Sequence, residues 1–308
     1  MSGEAERSRA ARKLVGFAVG LLLIGAAIFV LARNQDDLQS AIDSARHAPI
    51  GIAVLAVLLP LGNAGIVSLS FWTLMRRFGR VPFGDMLALI CSAWLLNYLP
   101  MRPGLIGRLA FHKLVHGVGF KSSVAVSVAL AFMTGLAAGH MLAVGIAMTK
   151  GWAVGVAVLI VSIVGVYVLA GFAADRSPAG SVPRRDLRVA LLYRYGDMLV
   201  WSLRMWACFA IVGAELNIQA AILIAAAVQL AYLFPLTGAG LGVVEWAVGL
   251  VATLVVVDAT PEIGIAASLI NRVAELLVAV PAGLIGSAYI ARRRVKAGNS
   301  PDVDAPEA

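Results

Sequence analysis

The sequence predicts an all-α, polytopic transmembrane helical bundle with about six full spans and two broken, re-entrant hairpins. Three observations predict it. Hydrophobic residues fill 60% of the 308 positions and charged residues only 14%, against roughly 25% charge in an ordinary soluble domain. Several apolar runs reach the roughly 20 residues that cross about 30 Å of hydrocarbon. Two further apolar stretches are interrupted by proline and glycine, which break helices by removing a donor and by adding backbone freedom.

The first run is Leu14 to Ala32, behind Arg7, Arg9, Arg12 and Lys13. It is longer than the apolar core of a signal peptide. Ile50 to Met75 is the second span. Val124 to Met148 and Trp152 to Phe172 form a hairpin around Lys150. Met198 to Gly213 and Ile263 to Ile290 complete the full spans. The predicted organisation is a basic cytoplasmic N-terminus (1–13), one transmembrane domain (14–294) and a disordered cytoplasmic tail (295–308). No segment outside the apolar runs is long enough to bury a core of its own.

Two stretches do not fit simple spans. Asp85 to Leu99 offers about 14 apolar residues, which suits a re-entrant element better than a crossing. It ends at Pro100, Arg102, Pro103 and Gly104. Ala220 to Val257 is broken at its centre by Pro235-Leu-Thr-Gly-Ala-Gly240-Leu-Gly242. Bare backbone at membrane depth is tolerated only where protein or a watery cavity covers it.

The formal charge of +8 would point to nucleic acid in a soluble protein, but here its placement matters more. Lys and Arg favour the cytoplasmic side of short loops. With the N-terminus inside and Asp85 to Leu99 dipping in and returning, most of the 25 basic residues fall inside. These include Arg76 and Arg77, Arg184 to Arg194, and the closing run Arg292 to Lys296. Both termini are then cytoplasmic, and the two broken hairpins enter from opposite faces. That layout resembles an inverted-topology pair, in which transporters place a site near the midplane.

Charge inside the membrane is expensive and needs a reason. Arg102 and Arg108 flank the first break, Glu245 follows the second, and Arg272 with Glu275 lies on the last span. The last two are three apart and share a helix face, so they could pair with each other, while Glu245 could either hold Arg272 or carry a coupling proton. Asp197 and Arg204 read as part of an internal salt-bridge network that locks the bundle. Arginine suits phosphate because its planar fork donates two parallel hydrogen bonds, and broken-helix ends add free N–H groups. Asn97, Gly104, Pro235, Gly240, Gly242 and Asn271 shape the two breaks around this polar centre. His112 and His116 sit four apart, but no carboxylate or cysteine nearby in the sequence completes a zinc set; headgroup contact or interfacial anchoring is the better reading. The tryptophans read as an interfacial belt. Cys91 and Cys208 are isolated, as small core residues are. No cofactor, metal or catalytic set is expected.

The motifs resemble the lysylphosphatidylglycerol synthase transmembrane region family. Asn97-Tyr-Leu-Pro100-Met-Arg102-Pro-Gly104 with Arg108 is similar to its first break. Pro235 to Glu245, PLTGAGLGVVE, is similar to its proline, glycine-rich, then glutamate motif. Asn271-Arg272 with Pro281 is similar to its final span. Members commonly carry an acid after the first glycine, where this chain has Leu105. The resemblance implies a flippase-like membrane region without the aminoacyl-transferase domain of bifunctional members, in a bacterial inner membrane. The expected function is a lipid transporter, not an enzyme, handling an anionic phospholipid or a polyprenyl-phosphate-linked lipid. Substrate contacts would fall on Asn97, Arg102, Gly104, Arg108, Pro235, Gly240, Gly242, Glu245, Asn271, Arg272 and Glu275. The expected partner is a membrane lipid with an anionic headgroup, with no nucleic acid, and a homo-oligomer or biosynthetic partner is compatible. Two alternatives stay open: a membrane-embedded transferase on a lipid-linked substrate, and an accessory subunit of an envelope-biosynthesis complex.

Overall fold

Large apolar side chains cover the outside of the bundle, and charged side chains such as Arg204, Glu245 and Glu275 are buried within an apolar core. The computed structural model describes residues 35–99, 103–175, 183–233 and 238–298, with 18, 21–22 and 24–29 from the first apolar run. Arg102 and Pro235 lie outside the described residues. Among the described residues ten helices follow residue 34, with one 3₁₀ turn and no strand. They are α1 (Gln35–His47), α2 (Ile50–Met75), α3 (Phe83–Leu96), α4 (Pro103–His116) and α5 (Phe120–Met148). Next come α6 (Trp152–Asp175), α7 (Arg184–Ile211), α8 (Ile218–Leu233), the 3₁₀ turn Gly238–Gly240, α9 (Val243–Val255) and α10 (Pro261–Gly298).

Proline and small polar residues set the starts. Pro103 and Pro261 occupy the first turn of α4 and α10, where a missing N–H leaves nothing unsatisfied. Asn217 caps α8 by accepting the Ala220 N–H at 2.8 Å. Among the described residues three helices are long and apolar enough to cross a membrane: α2, α5 and residues 261–295 of α10. Val161, Ile285 and Leu277 stand more than half exposed on the bundle's outside, while Asn271, Arg272 and Glu275 are buried. A stripe of outward apolar side chains over an ion-paired interior is stable against lipid tails, not against water. The structure is therefore that of a membrane protein.

The long helix α10 is the spine. Helix α3 runs antiparallel along its C-terminal half. Asp85 bonds Tyr289 and Arg293, Ser92 bonds Ser287, and Trp94 and Tyr98 reach Glu275. Helix α9 runs antiparallel along the N-terminal half, with Glu245 at Arg272 and Gly249 against Pro261 and Ile265. Glycines allow both approaches: a Cβ on Gly286 would sit 2.6 Å from the Ala88 carbonyl, and one on Gly264 2.7 Å from the Gly249 Cα. The end of α3 and the start of α9 therefore meet beside Arg272 and Glu275, about 16 and 21 Å along α10 from Pro261. Helices α2 and α7 pack side by side against this spine.

Two expectations change. Helix α7 starts at Arg184, not Met198, so Arg194 belongs to a buried helix rather than to a cytoplasmic loop. The segment between the first two apolar runs, left without structure in the sequence reading, contains α1, which packs on α7 and α10.

Candidate functional site

The second break is built by its glycines and held by one ion pair. Ala239, Gly240 and Gly242 have φ of 46°, 66° and 78°. Such left-handed conformations suit glycine and strain alanine. The Glu245 carboxylate sits three residues into α9. Its Oε2 accepts the Gly242 N–H at 2.7 Å, satisfying an orphan donor at the helix start. Its Oε1 accepts Nη2 and Nε of Arg272 at 2.7 and 2.9 Å. Arg272 Nη1 then donates to the Ala239 carbonyl at 3.0 Å, at the strained residue of the break. Glu245 is wholly buried. One guanidinium thus ties α10 to the carbonyl side and the helix side of the same break.

The first break is a close helix approach. Asn97 ends α3, its N–H donating to the Ala93 carbonyl at 2.9 Å. A Cβ on Gly104 would fall 2.6 Å from Ala93 Cα and 2.8 Å from Asn97 Oδ1. Only glycine lets α4 start against the end of α3. Asn97 Oδ1 is buried and accepts no hydrogen bond from the described residues.

Between the breaks lies a cavity of about 360 Å³, within the roughly 300–1,000 Å³ typical of small-ligand sites. Its wall takes Trp94 and Asn97 from α3, Arg108 from α4 and Thr134 from α5. Helix α7 supplies Arg194, Asp197, Trp201 and Arg204, and Glu275 comes from α10. Arg204 is the hub. It donates to Glu275 at 2.6 Å, to Asn271 at 3.1 Å and to Asn63 at 3.0 Å, and it stacks on Trp201 at 3.8 Å. Asn63 passes the chain on to Asp197 at 2.7 Å. Arg194 lies 3.7 Å from Asp197 and donates to Ser70 at 2.8 Å.

Every carboxylate on this wall is therefore taken, and one guanidinium is left over. Arg108 is 8% exposed. It donates to Ser127 at 3.0 Å and lies 3.9 Å from the Phe71 ring centre. Among the described residues no carboxylate reaches it, and its buried Nε has no partner. A buried, unneutralised cation at a cavity wall is costly unless an anion completes it. No family model matches the chain, and no curated protein matches it either.

Of the two pairings open to Arg272, the one with Glu245 forms and the one with Glu275 does not. Arg272 takes Glu245 and Glu275 takes Arg204, because residues three apart on α10 diverge toward different neighbours. Asn97, Arg108 and Glu275 reach the cavity, with Asn271 one hydrogen bond behind it through Arg204. Gly104, Gly240, Gly242 and Glu245 form the breaks beside it. The sequence did not single out Asn63 or Thr134 and placed Arg194 in a cytoplasmic loop; Asp197 and Arg204 do belong to an internal network, joined through Asn63. A signal was present: 194, 197, 201 and 204 are spaced three, four and three apart, one face of a helix. Trp94 and Trp201 serve this interior, not an interfacial belt. His112 and His116 lie elsewhere, with His116 Nε2 3.0 Å from Asp85 and 3.2 Å between the two Nδ1 atoms. Among the described residues no group of three His, Cys, Asp or Glu side chains is gathered for a metal.

Proposed function

We propose that this chain is a flippase-like transporter of a lipid with an anionic, phosphate-bearing headgroup. The observation that carries the reading is Arg108, a buried guanidinium on the cavity wall with no carboxylate to neutralise it. A phosphate oxygen pair suits a guanidinium fork. The unpartnered Asn97 Oδ1 opposes it as an acceptor for a headgroup hydroxyl or ammonium. Phosphatidyl and polyprenyl-phosphate lipids share this chemistry.

Short helices support the transport route. Helices α3, α4, α8 and α9 have 13 to 16 residues, or about 20–24 Å of length against about 30 Å of hydrocarbon. In this reading α3–α4 is a re-entrant hairpin from the cytoplasmic face and α8–α9 one from the outer face. Their tips meet at the midplane, where the headgroup crosses while its tails stay in lipid. Both termini are cytoplasmic in a bacterial inner membrane. The motif resemblance to the lysylphosphatidylglycerol synthase transmembrane region points the same way.

The test is translocation of headgroup-labelled phosphatidylglycerol in proteoliposomes. Arg108→Ala is expected to slow it by about tenfold or more with an unchanged melting temperature, because no buried carboxylate is stranded. Wild-type rates in this variant would overturn the proposal.

A further inference from the structure

A second, smaller chamber of about 240 Å³ lies between α3, α4 and α10. Its walls combine large apolar side chains, Leu89, Leu96, Phe111 and Ile290, with small residues on each helix, among them Ser92 on α3, Gly107 on α4 and Ser287 on α10. Arg294 stands on its wall toward the C-terminal end of α10, exposed and without a carboxylate within ion-pair reach among the described residues. Arg108 forms part of this chamber and of the central cavity alike. A cation at the open end and a buried cation on the shared wall make a graded attraction for an anion. The apolar side chains between them carry no charge to oppose it.

From this juxtaposition we infer that the chamber is the access route by which a phosphate group reaches the central cavity, passing from Arg294 to Arg108. The inference rests on the anion-binding reading of the cavity. Arg108 is then the hand-over point, bonded by the phosphate from the chamber side before Arg194 and Arg204 meet it on the other. The chamber opens beside Arg293 and Arg294, the end of the bundle that the basic-residue bias assigns to the cytoplasm. A phosphate group enters there either as the headgroup of an inner-leaflet lipid or as a free ion.

Gly107 provides the test. A Cβ added there meets no heavy atom within 4 Å, so a large side chain is accepted without displacing backbone. Gly107→Phe fills the chamber from α4, and Ala291→Trp fills it from α10. Each variant is reconstituted in vesicles of phosphatidylcholine with labelled phosphatidylglycerol, and separately assayed for uptake of radiolabelled inorganic phosphate. Equilibrium binding of the same labelled lipid is measured in detergent, with melting temperature as a folding control.

The expected result is translocation slowed by about tenfold or more in both plugs, with binding within about twofold of wild type, as for a gated access step. Loss confined to the lipid arm assigns the route to headgroups; loss confined to the phosphate arm assigns it to free phosphate. Wild-type rates in both plugs and both arms would overturn the route and leave the cavity reading intact. Loss of binding together with transport would also overturn it, since the chamber would then be part of the site. A wild-type protein that neither binds nor moves either probe would sink the cavity reading itself.

Discussion

At the residue scale, the three central arginines have different jobs. Arg272 holds the second break shut through Glu245 and the Ala239 carbonyl. Arg204 joins three helices, α2, α7 and α10, through Asn63, the Trp201 ring, Asn271 and Glu275. Arg108 alone has charge to spare. Arg272→Ala is expected to destabilise the protein by about 3–5 kcal/mol, because it strands a wholly buried Glu245 carboxylate. Thermal unfolding in detergent reads this directly, and an unchanged midpoint would contradict it. Arg272→Lys is expected to recover only part of the loss, since an ammonium cannot bond the carboxylate and the carbonyl with a planar fork. The sequence placed Arg272 and Glu245 correctly in the polar centre. It left open whether Glu245 holds Arg272 or carries a proton, because the two lie 27 residues apart across the break.

At the element scale, the breaks are made by backbone geometry more than by side chains. Gly104 and Gly107 lie three apart on α4, yet their surroundings are opposite. Gly104→Ala drives a methyl group into the Ala93 backbone, which has no freedom to yield, and is expected to cost about 1–3 kcal/mol. Gly107→Ala meets open space and is expected to be neutral or slightly stabilising through helix propensity. Comparing the two melting temperatures checks the close approach of α3 and α4, and equal effects would argue against it. Both breaks were legible because proline and glycine punctuate apolar runs so visibly. The extent of α7 was not, since its first half carries Arg185, Arg188 and Arg194 and reads as a basic loop. Arg194 is buried against neighbouring helices, and a charge satisfied in that way leaves no hydropathy signature, so only packing reveals it.

At the scale of the whole molecule, ionic clusters clamp one end of the bundle. Asp186 on α7 pairs with Arg76 and Arg77 after α2. Asp85 on α3 takes His116 from α4 and Tyr289 and Arg293 from α10, at 2.8 to 3.0 Å. Burial pushes the Asp85 carboxyl up, but hydrogen bonds from Arg293, His116 and Tyr289 outweigh it and hold it below the usual 3.8. A carboxylate depressed in the fold stabilises it fully above the unfolded value, and loses that contribution as pH falls through the lower, folded one. The melting temperature of Asp85→Asn is therefore expected to lie below wild type at neutral pH. The gap should close as the pH drops below about 4. A gap that stays constant with pH would remove the cluster from the stability account.

The sequence by itself determined that this chain is helical and built for a membrane. It also located both breaks and most of the charged residues near them. Hydropathy, proline and glycine act locally, so they can be read along a chain. Tertiary structure decided the partners. It sent Arg272 to Glu245 and Glu275 to Arg204, brought both breaks to the middle of α10, and left Arg108 without a counter-charge. Which buried charges neutralise one another depends on which helix faces meet, and that is fixed only when the helices pack.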